Sequence, residues 1–390
     1  MKEIVLVDTN YWKQLLPLTY TRSIADLRIG IFTIKEKWEK YTNLEISVET
    51  QSYLQKKYGN PQKAEISVNS AILPDATLVE RILKLKANQN LFLGKIWLAS
   101  NGKYEKSKGE DIQLESSINC NIIEHPEHLF VFAGQEIVKD FQHLLKSGQS
   151  AEIPSSNRII GNHEIYFGTG AKAEYTILNA SEGPIYIGKN VEVMEGSMIR
   201  GPVALGDESI VKMGTRIYGN TAIGPRCKVG GEINNSIIIG NSNKSHTGFL
   251  GNAVIGEWCN LGAGTINSNL KNNYSNAKIW DYGTSAFRQT NCQFVGLIMG
   301  DHCKTGIGTM FSTAAMAGVS CNIFGYGFQP KFIPSFTWGA GENFEIYRLD
   351  KALETAEAIM KRRGKQLSEI DREILTHIFK STATYRSQSA

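Results

Sequence analysis

His246 stands in the run NKSHTGFLGNAVIGEWCNLGAGT (243–265), with Glu232 fourteen positions before it and Asn260 and Asn269 fourteen and twenty-three positions after it. A neutral imidazole, with an ordinary pKa of about 6.5, is suited to take a proton from an attacking amine near neutral pH. A carboxylate behind it fixes the tautomer and stabilises the imidazolium; Glu232 is the candidate. The small-residue segment LGAGT offers backbone N–H groups to a developing oxyanion, with Ala263 as the donor. A lone histidine on a strand is ordinarily structural, so the argument depends on what brings residues 14 to 23 apart onto one face.

A six-residue repeat supplies that. Apolar side chains recur at Ile187, Val193, Ile199, Leu205, Val211, Ile217, Ile223 and Val229, a period that neither an amphipathic helix nor an alternating strand explains. It is the signature of a parallel β-helix whose triangular coil takes three hexapeptides, about 18 residues. After Val229 the phase moves by two, with Ile237, Phe249, Ile255 and Leu261 next in register, as if GGEINNS carried two extra residues. A third register follows at Met299, Thr305, Phe311, Ala317 and Ile323. Between them the polar stretch 267–292 reads as a loop leaving the solenoid, the kind of interruption that tends to carry function.

The flanks differ from the repeat. Residues 1–155 mix short β-rich runs (EIVLVD, GKIWLAS) with helical patterns (ATLVERILKLK, EIVKDFQHLLK), which predicts an α/β domain. SGQSAEIPSSN reads as a linker, 156–340 as the β-helix, and 341–390 as a helical segment (LDKALETAEAIMKRR, LSEIDREILTHIF) capping its exposed end.

Composition narrows the class. Over 390 residues the hydrophobic share is 42% and the charged share 21%, values of a folded globular protein rather than a disordered or fibrous one. A net charge of +4 is too small to argue for nucleic acid, and it is compatible with phosphorylated substrates. No apolar run reaches the roughly 18 residues of a membrane span, so neither membrane helix nor signal peptide is expected, and a cytoplasmic location follows as the expectation. The six cysteines form no CxxC pair and mostly fall in the repeat, where they read as small buried hydrophobes. His246 and His302 stand far apart without a ligand spacing, so no metal is expected in the coil.

The region from about 185 to 325 resembles the acetyltransferase half of the bifunctional bacterial enzymes that make UDP-N-acetylglucosamine, in which glucosamine-1-phosphate N-acetyltransferase is joined to N-acetylglucosamine-1-phosphate uridylyltransferase. Glu232, His246, Leu250-Gly251-Asn252-Ala253, Ile255-Gly256, Asn260, the run Leu261 to Ile266, and Asn269 carry the likeness without a gap. The resemblance implies a left-handed β-helix and acetyl-CoA as co-substrate. It implies His246 and Glu232 as the base dyad, Asn260 near the sugar, the Ala263 N–H toward the carbonyl oxygen, Asn269 on the acetyl-CoA side and Arg216 on the sugar phosphate. It also implies a homotrimer with sites between subunits, the 267–292 loop reaching a neighbour. Phe249, Asn234 and Leu270 stand where the family has tyrosine, lysine and tyrosine; Lys244 or Lys271 is the expected replacement for the lysine.

The segment LLPLTYTRSIADLRIGIFTIKEKW is similar to the PLT-x-x-R-P-x-x-L segment of sugar-1-phosphate nucleotidyltransferases. Their glycine-rich phosphate loop is absent, VDTNYWKQL standing in its place, and Asn69-Ser70 replaces a magnesium-binding Gly-Asp, with Asp75 displaced from it. The whole layout resembles a compact branch of the bifunctional family. Arg22, Arg28 and Lys35 are then the expected substitute anion site for a nucleoside triphosphate, with Mg²⁺ as its ion. The expected function is acetyl-CoA-dependent N-acetylation of an amino-sugar phosphate, glucosamine 1-phosphate first. Its rivals are a sugar nucleotidyltransferase that uses the β-helix for oligomerisation, and a binding scaffold without activity.

Overall fold

A computed structural model describes residues 3–61, 64–103, 108–145, 150–339 and 344–387. The first three residues of the expected linker lie outside that set. The N-terminal domain is a six-stranded sheet of β1 (Ile4–Val7), β2 (Ile46–Glu49), β3 (Ile66–Asn69), β4 (Gln89–Leu93), β5 (Ile96–Asn101) and β6 (Glu110–Gln113), in the order β2-β1-β3-β5-β4-β6. β1 pairs in parallel with both β2 and β3, so the strand order reverses at β1. Helices α1 (Ile34–Thr42), α2 (Ser52–Tyr58), α3 (Ala76–Leu83) and α4 (Pro126–Leu145) complete it. Thr33 and Glu36 close a capping box on α1, and Asp75 caps α3 by accepting from Thr77 N–H. Asp75 is therefore a helix cap, not a metal ligand.

From Arg158 the chain winds into a parallel β-helix whose faces are a nine-stranded sheet, a ten-stranded sheet, and a six-stranded sheet extended by a three-stranded one. All eight positions of the first register are at most 2% exposed and belong to the coil interior, with Cys227, Cys259, Cys303 and Cys321. The third register is buried throughout as well.

The second register holds at Ile255 and Leu261, which are buried in the coil interior, but not at Ile237 and Phe249. The register partners of Ile217, Ile223 and Val229 are Ile233, Ile238 and Lys244, and Leu250 follows Ile233. The coil is shortened, not lengthened: Val211 to Val229 is 18 residues, Val229 to Lys244 only 15. Ile237 is buried but points outward, in the column Ala204, Ala222, Ile237, Val254, Ile298, Met316 that packs into the core shared with the N-terminal domain. Because that face is apolar on both sides, its inward residue has no unique sequence signature.

α4 lies across this face so closely that a Cβ on Gly134 would sit 1.9 Å from Asn220 Oδ1. Two ion clusters hold this arrangement: Lys37 with Glu136 (2.9 Å) and Asp140 (2.5 Å) fixes α4 to α1 within the N-terminal domain, and Arg22 with Asp301 (2.5 Å) and Glu257 (3.0 Å) ties that domain to the coil. The polar stretch does not swing away. Its hairpin, Lys278–Asp281 with Ala286–Gln289, folds onto its own chain, with Trp280 stacked on Phe332 at 4.1 Å, Tyr282 edge-on to Tyr20, and Arg288 on Glu127 at 2.7 Å. The C-terminal helices α5 (Leu349–Lys361) and α6 (Glu369–Ser381) also do more than cap an end. They run along the coil's flank to α2, where His377 stacks on Tyr53 and Lys56 pairs with Glu373, while Arg363 reaches Asn243.

Candidate active sites

The corner that carries His246 is built by unequal turns. Between the ten-stranded and six-stranded faces, four residues make the corner at 212–215, at 245–248 and at 262–265, but only Gly230 and Gly231 make it between Val229 and Glu232. Gly231 takes a φ of +82°, and a Cβ there would meet Gly248 O at 2.8 Å, so the tight turn requires glycine. A two-residue corner among four-residue corners leaves a notch, and His246 projects exposed beside it. The next corner carries Ala263: Gly264 N–H donates to Thr247 O at 3.1 Å, and Gly308 N–H to Ala263 O at 2.7 Å.

Leaving the notch, the outer column of the adjoining face reads Met198, Arg216, Glu232, Phe249. Arg216 and Glu232 pair at 3.0 Å with the guanidinium half exposed. Among the described residues no hydrogen bond joins Glu232 to His246, so the expected dyad is not formed; Arg216 holds the carboxylate instead. Asn260 is exposed on the face entering the corner and accepts from Asn243 Nδ2 at 3.3 Å. Asn269 lies at the far end of the Phe249 face, donating to Asn252 Oδ1 at 2.8 Å. The fold thus gathers His246, Ala263, Arg216 and Glu232 at one corner and leaves Asn269 outside it within a single chain.

The two expected replacement lysines are placed differently, Lys244 inside the coil and Lys271 at the surface. Lys244 occupies an inward position at 1% exposure, its Nζ donating to His246 O (2.5 Å), Gly230 O (3.2 Å) and Thr247 O (3.4 Å). Burial pushes its pKa down to about 8. Lys271 is bound within its own loop to Ser275 Oγ and Asn276 O.

The N-terminal anion site also departs from expectation. Arg22 is sealed inside the domain junction against Asp301 and Glu257, and Thr21 Oγ1 donates to the same Asp301 at 2.6 Å. Arg28 donates to Ile31 O and Ile239 O, and Lys35 pairs with Glu39 one helical turn on. These three cations do not converge.

What converges is a cleft of about 500 Å³ at the carboxyl ends of β1, β2 and β3, lined by Asp8, Asn10, Tyr11, Glu49, Asn69, Lys95, Trp97 and Lys103 among others. In open α/β sheets, ligands bind where the strand order reverses. Asp8 anchors the cleft, accepting from Ser23 Oγ (2.9 Å), Ile24 N–H (3.1 Å), Ser70 Oγ (2.6 Å) and Thr50 Oγ1 (2.5 Å). Burial still raises its pKa to about 6 against those donors. Three of these bonds fall on Asp8 Oδ1 and one on Oδ2, while Asn69 donates to Trp97 O and Ser70 to Asp8. The open cations are Lys95 and Lys103 at the rim, Lys103 lying 3.9 Å from Glu49. Sequence reasoning missed this cleft; its signal is the three β runs IVLVD, EISVE and EISVN, whose polar ends Glu49 and Asn69 lie level with Val7, with Asp8 one residue beyond.

Residues 4–149 match the family model described as sugar nucleotidyl transferase, a match that stops where the coil begins. No curated protein matches the chain. Among solved structures, a UDP-N-acetylglucosamine acyltransferase from Arabidopsis is similar at 15% identity, over 61% of this chain and 94% of that one, with a TM-score of 0.29. No helix among the described residues is long and apolar enough to cross a membrane.

Proposed function

We propose that the chain is a two-site transferase of sugar-nucleotide synthesis, with N-acetyl transfer to an amino-sugar phosphate at the His246 corner and nucleotidyl transfer in the β1–β3 cleft. The observation that carries the first activity is the exposed imidazole next to a corner two residues shorter than its neighbours, with a guanidinium–carboxylate pair on its edge. An anionic acceptor such as glucosamine 1-phosphate competes for Arg216 and releases Glu232 to orient the imidazole. His246 then takes the proton as the amine nitrogen bonds to the thioester carbonyl carbon of acetyl-CoA. The Ala263 N–H supports the oxyanion; as the C–S bond breaks, the proton passes from the imidazolium to the leaving thiolate.

The family match supports the second activity, and the cleft has the volume of a nucleotide site. Lys95 and Lys103 supply the charge against phosphate that Arg22, Arg28 and Lys35 do not. We further read the working unit as a homotrimer. Around the notch the surface is apolar and exposed, at Met198, Met213, Ile266, Ile307, Tyr326 and Phe328, more than a lone coil needs to present to water. Asn269 of a neighbour would join the corner across such an interface.

Two assays separate the activities: thiol release from acetyl-CoA with a panel of amino sugars, and pyrophosphate release from UTP with N-acetylglucosamine 1-phosphate. Thiol release that depends on glucosamine 1-phosphate supports the first site. Absence of thiol release with every amino sugar would remove it and leave the nucleotidyltransferase reading, with the β-helix as its platform.

A further inference from the structure

A charged side chain inside a solenoid needs a reason. The inward column that contains Lys244 otherwise reads Ala173, Val193, Val211 and Val229 before it, then Leu261, Thr305 and Ile323 after it. Desolvating an ammonium costs several kcal/mol unless hydrogen bonds compensate it. Lys244 Nζ has three donors and three carbonyl partners, Gly230 O in the shortened corner and His246 O and Thr247 O in the full-length corner below it.

The position of those carbonyls is a consequence of the notch. In neighbouring coils corners support one another through a glycine N–H on the preceding corner's carbonyl: Gly196 to Tyr175, Gly214 to Glu195, Gly264 to Thr247. The Gly230-Gly231 corner is two residues too short to take part in that ladder in the same way. The four-residue loop 245–248 therefore meets a truncated corner above it. Lys244 bridges the mismatch from inside, joining the carbonyl of His246 itself to the short corner.

We propose that Lys244 is a positioning residue, its ammonium holding the 245–248 corner in the shape that presents His246 to the notch. The catalytic consequence rests on the reading of His246 as the base; the structural consequence does not. Positioning matters because a displacement of about 1 Å at a reacting group can cost about 10²-fold in rate.

The test is Lys244→Met in the full-length protein, the apolar side chain matching its column so that the coil is retained, with Lys244→Leu as a second variant. Three readouts are compared with wild type: amide hydrogen exchange over 245–248, the imidazole NMR signal of His246, and acetyl transfer. The proposal expects faster exchange confined to that corner by tenfold or more, a shifted His246 signal, and kcat lower by about 10²-fold with KM for the acceptor within about threefold. Unchanged exchange and an unchanged His246 signal in both variants would overturn it. If His246→Ala keeps the wild-type rate, the catalytic reading fails separately, while exchange and the His246 signal still decide the role of Lys244.

Discussion

Arg22 and Lys244 are cations that a sequence reading offers to a substrate and the fold uses internally. Arg22 belongs to a PLT-x-x-R pattern that points to phosphate, yet both its carboxylate partners come from about 235 and 279 residues away, a distance no local pattern reports. Arg22→Ala should destabilise the chain by roughly 3–5 kcal/mol, because Asp301 and Glu257 are left without their cation. Chemical denaturation should show that loss, whereas a fully stable variant impaired only in nucleotide binding would restore Arg22 to the site. At the cleft, Lys95→Ala and Lys103→Ala together should raise KM for the nucleotide about tenfold or more with stability unchanged, since both side chains stand at the open rim. A titration that finds the same KM would move the phosphate elsewhere. The unusual corner that carries His246 was legible because the apolar period shifts phase after Val229. Asp8, Lys95 and Lys103 were not, since nothing in their local sequence shows that β1, β2 and β3 end at one level.

The coil corner is the element on which the proposed acyl transfer depends. Inserting two residues, Ser-Asn, between Gly230 and Gly231 restores a four-residue corner and fills the notch. Acetyl transfer should then be lost while circular dichroism stays that of the folded protein; retained transfer would show that the notch is not the acceptor site. Lys244 gives this element a pH signature. Its pKa is about 8 in the folded chain against 10.5 for the ordinary side chain, so between those values the unfolded chain binds more protons. Stability should therefore rise with pH across that window, and melting curves of Lys244→Met should lack the rise. The period-six pattern was readable wherever one face of the strand met solvent. It became ambiguous at Ile237 and Phe249, where an apolar column lies under the N-terminal domain or a shortened turn shifts the phase by one.

At the scale of the whole molecule, the N-terminal domain, the 278–289 hairpin and the C-terminal helices pack on the flanks of the coil, the C-terminal segment coming as near the His246 corner as Asn243 through Arg363, while exposed apolar side chains such as Met213, Ile266 and Ile307 remain on the corner side. That division is what a second and third copy would complete, and Ile307→Asp with Phe328→Asp should convert a trimer to monomer in sedimentation and lower acetyl transfer with it. Stable, fully active monomers would contradict the shared-site reading. The central claim is that the exposed imidazole at the notch is the base for acyl transfer, and the measurement closest to it is thiol release from acetyl-CoA by His246→Ala with glucosamine 1-phosphate. The side chain fills no core position, so the variant should fold as wild type, with turnover lower by about 10²-fold or more; release at the wild-type rate would contradict the account.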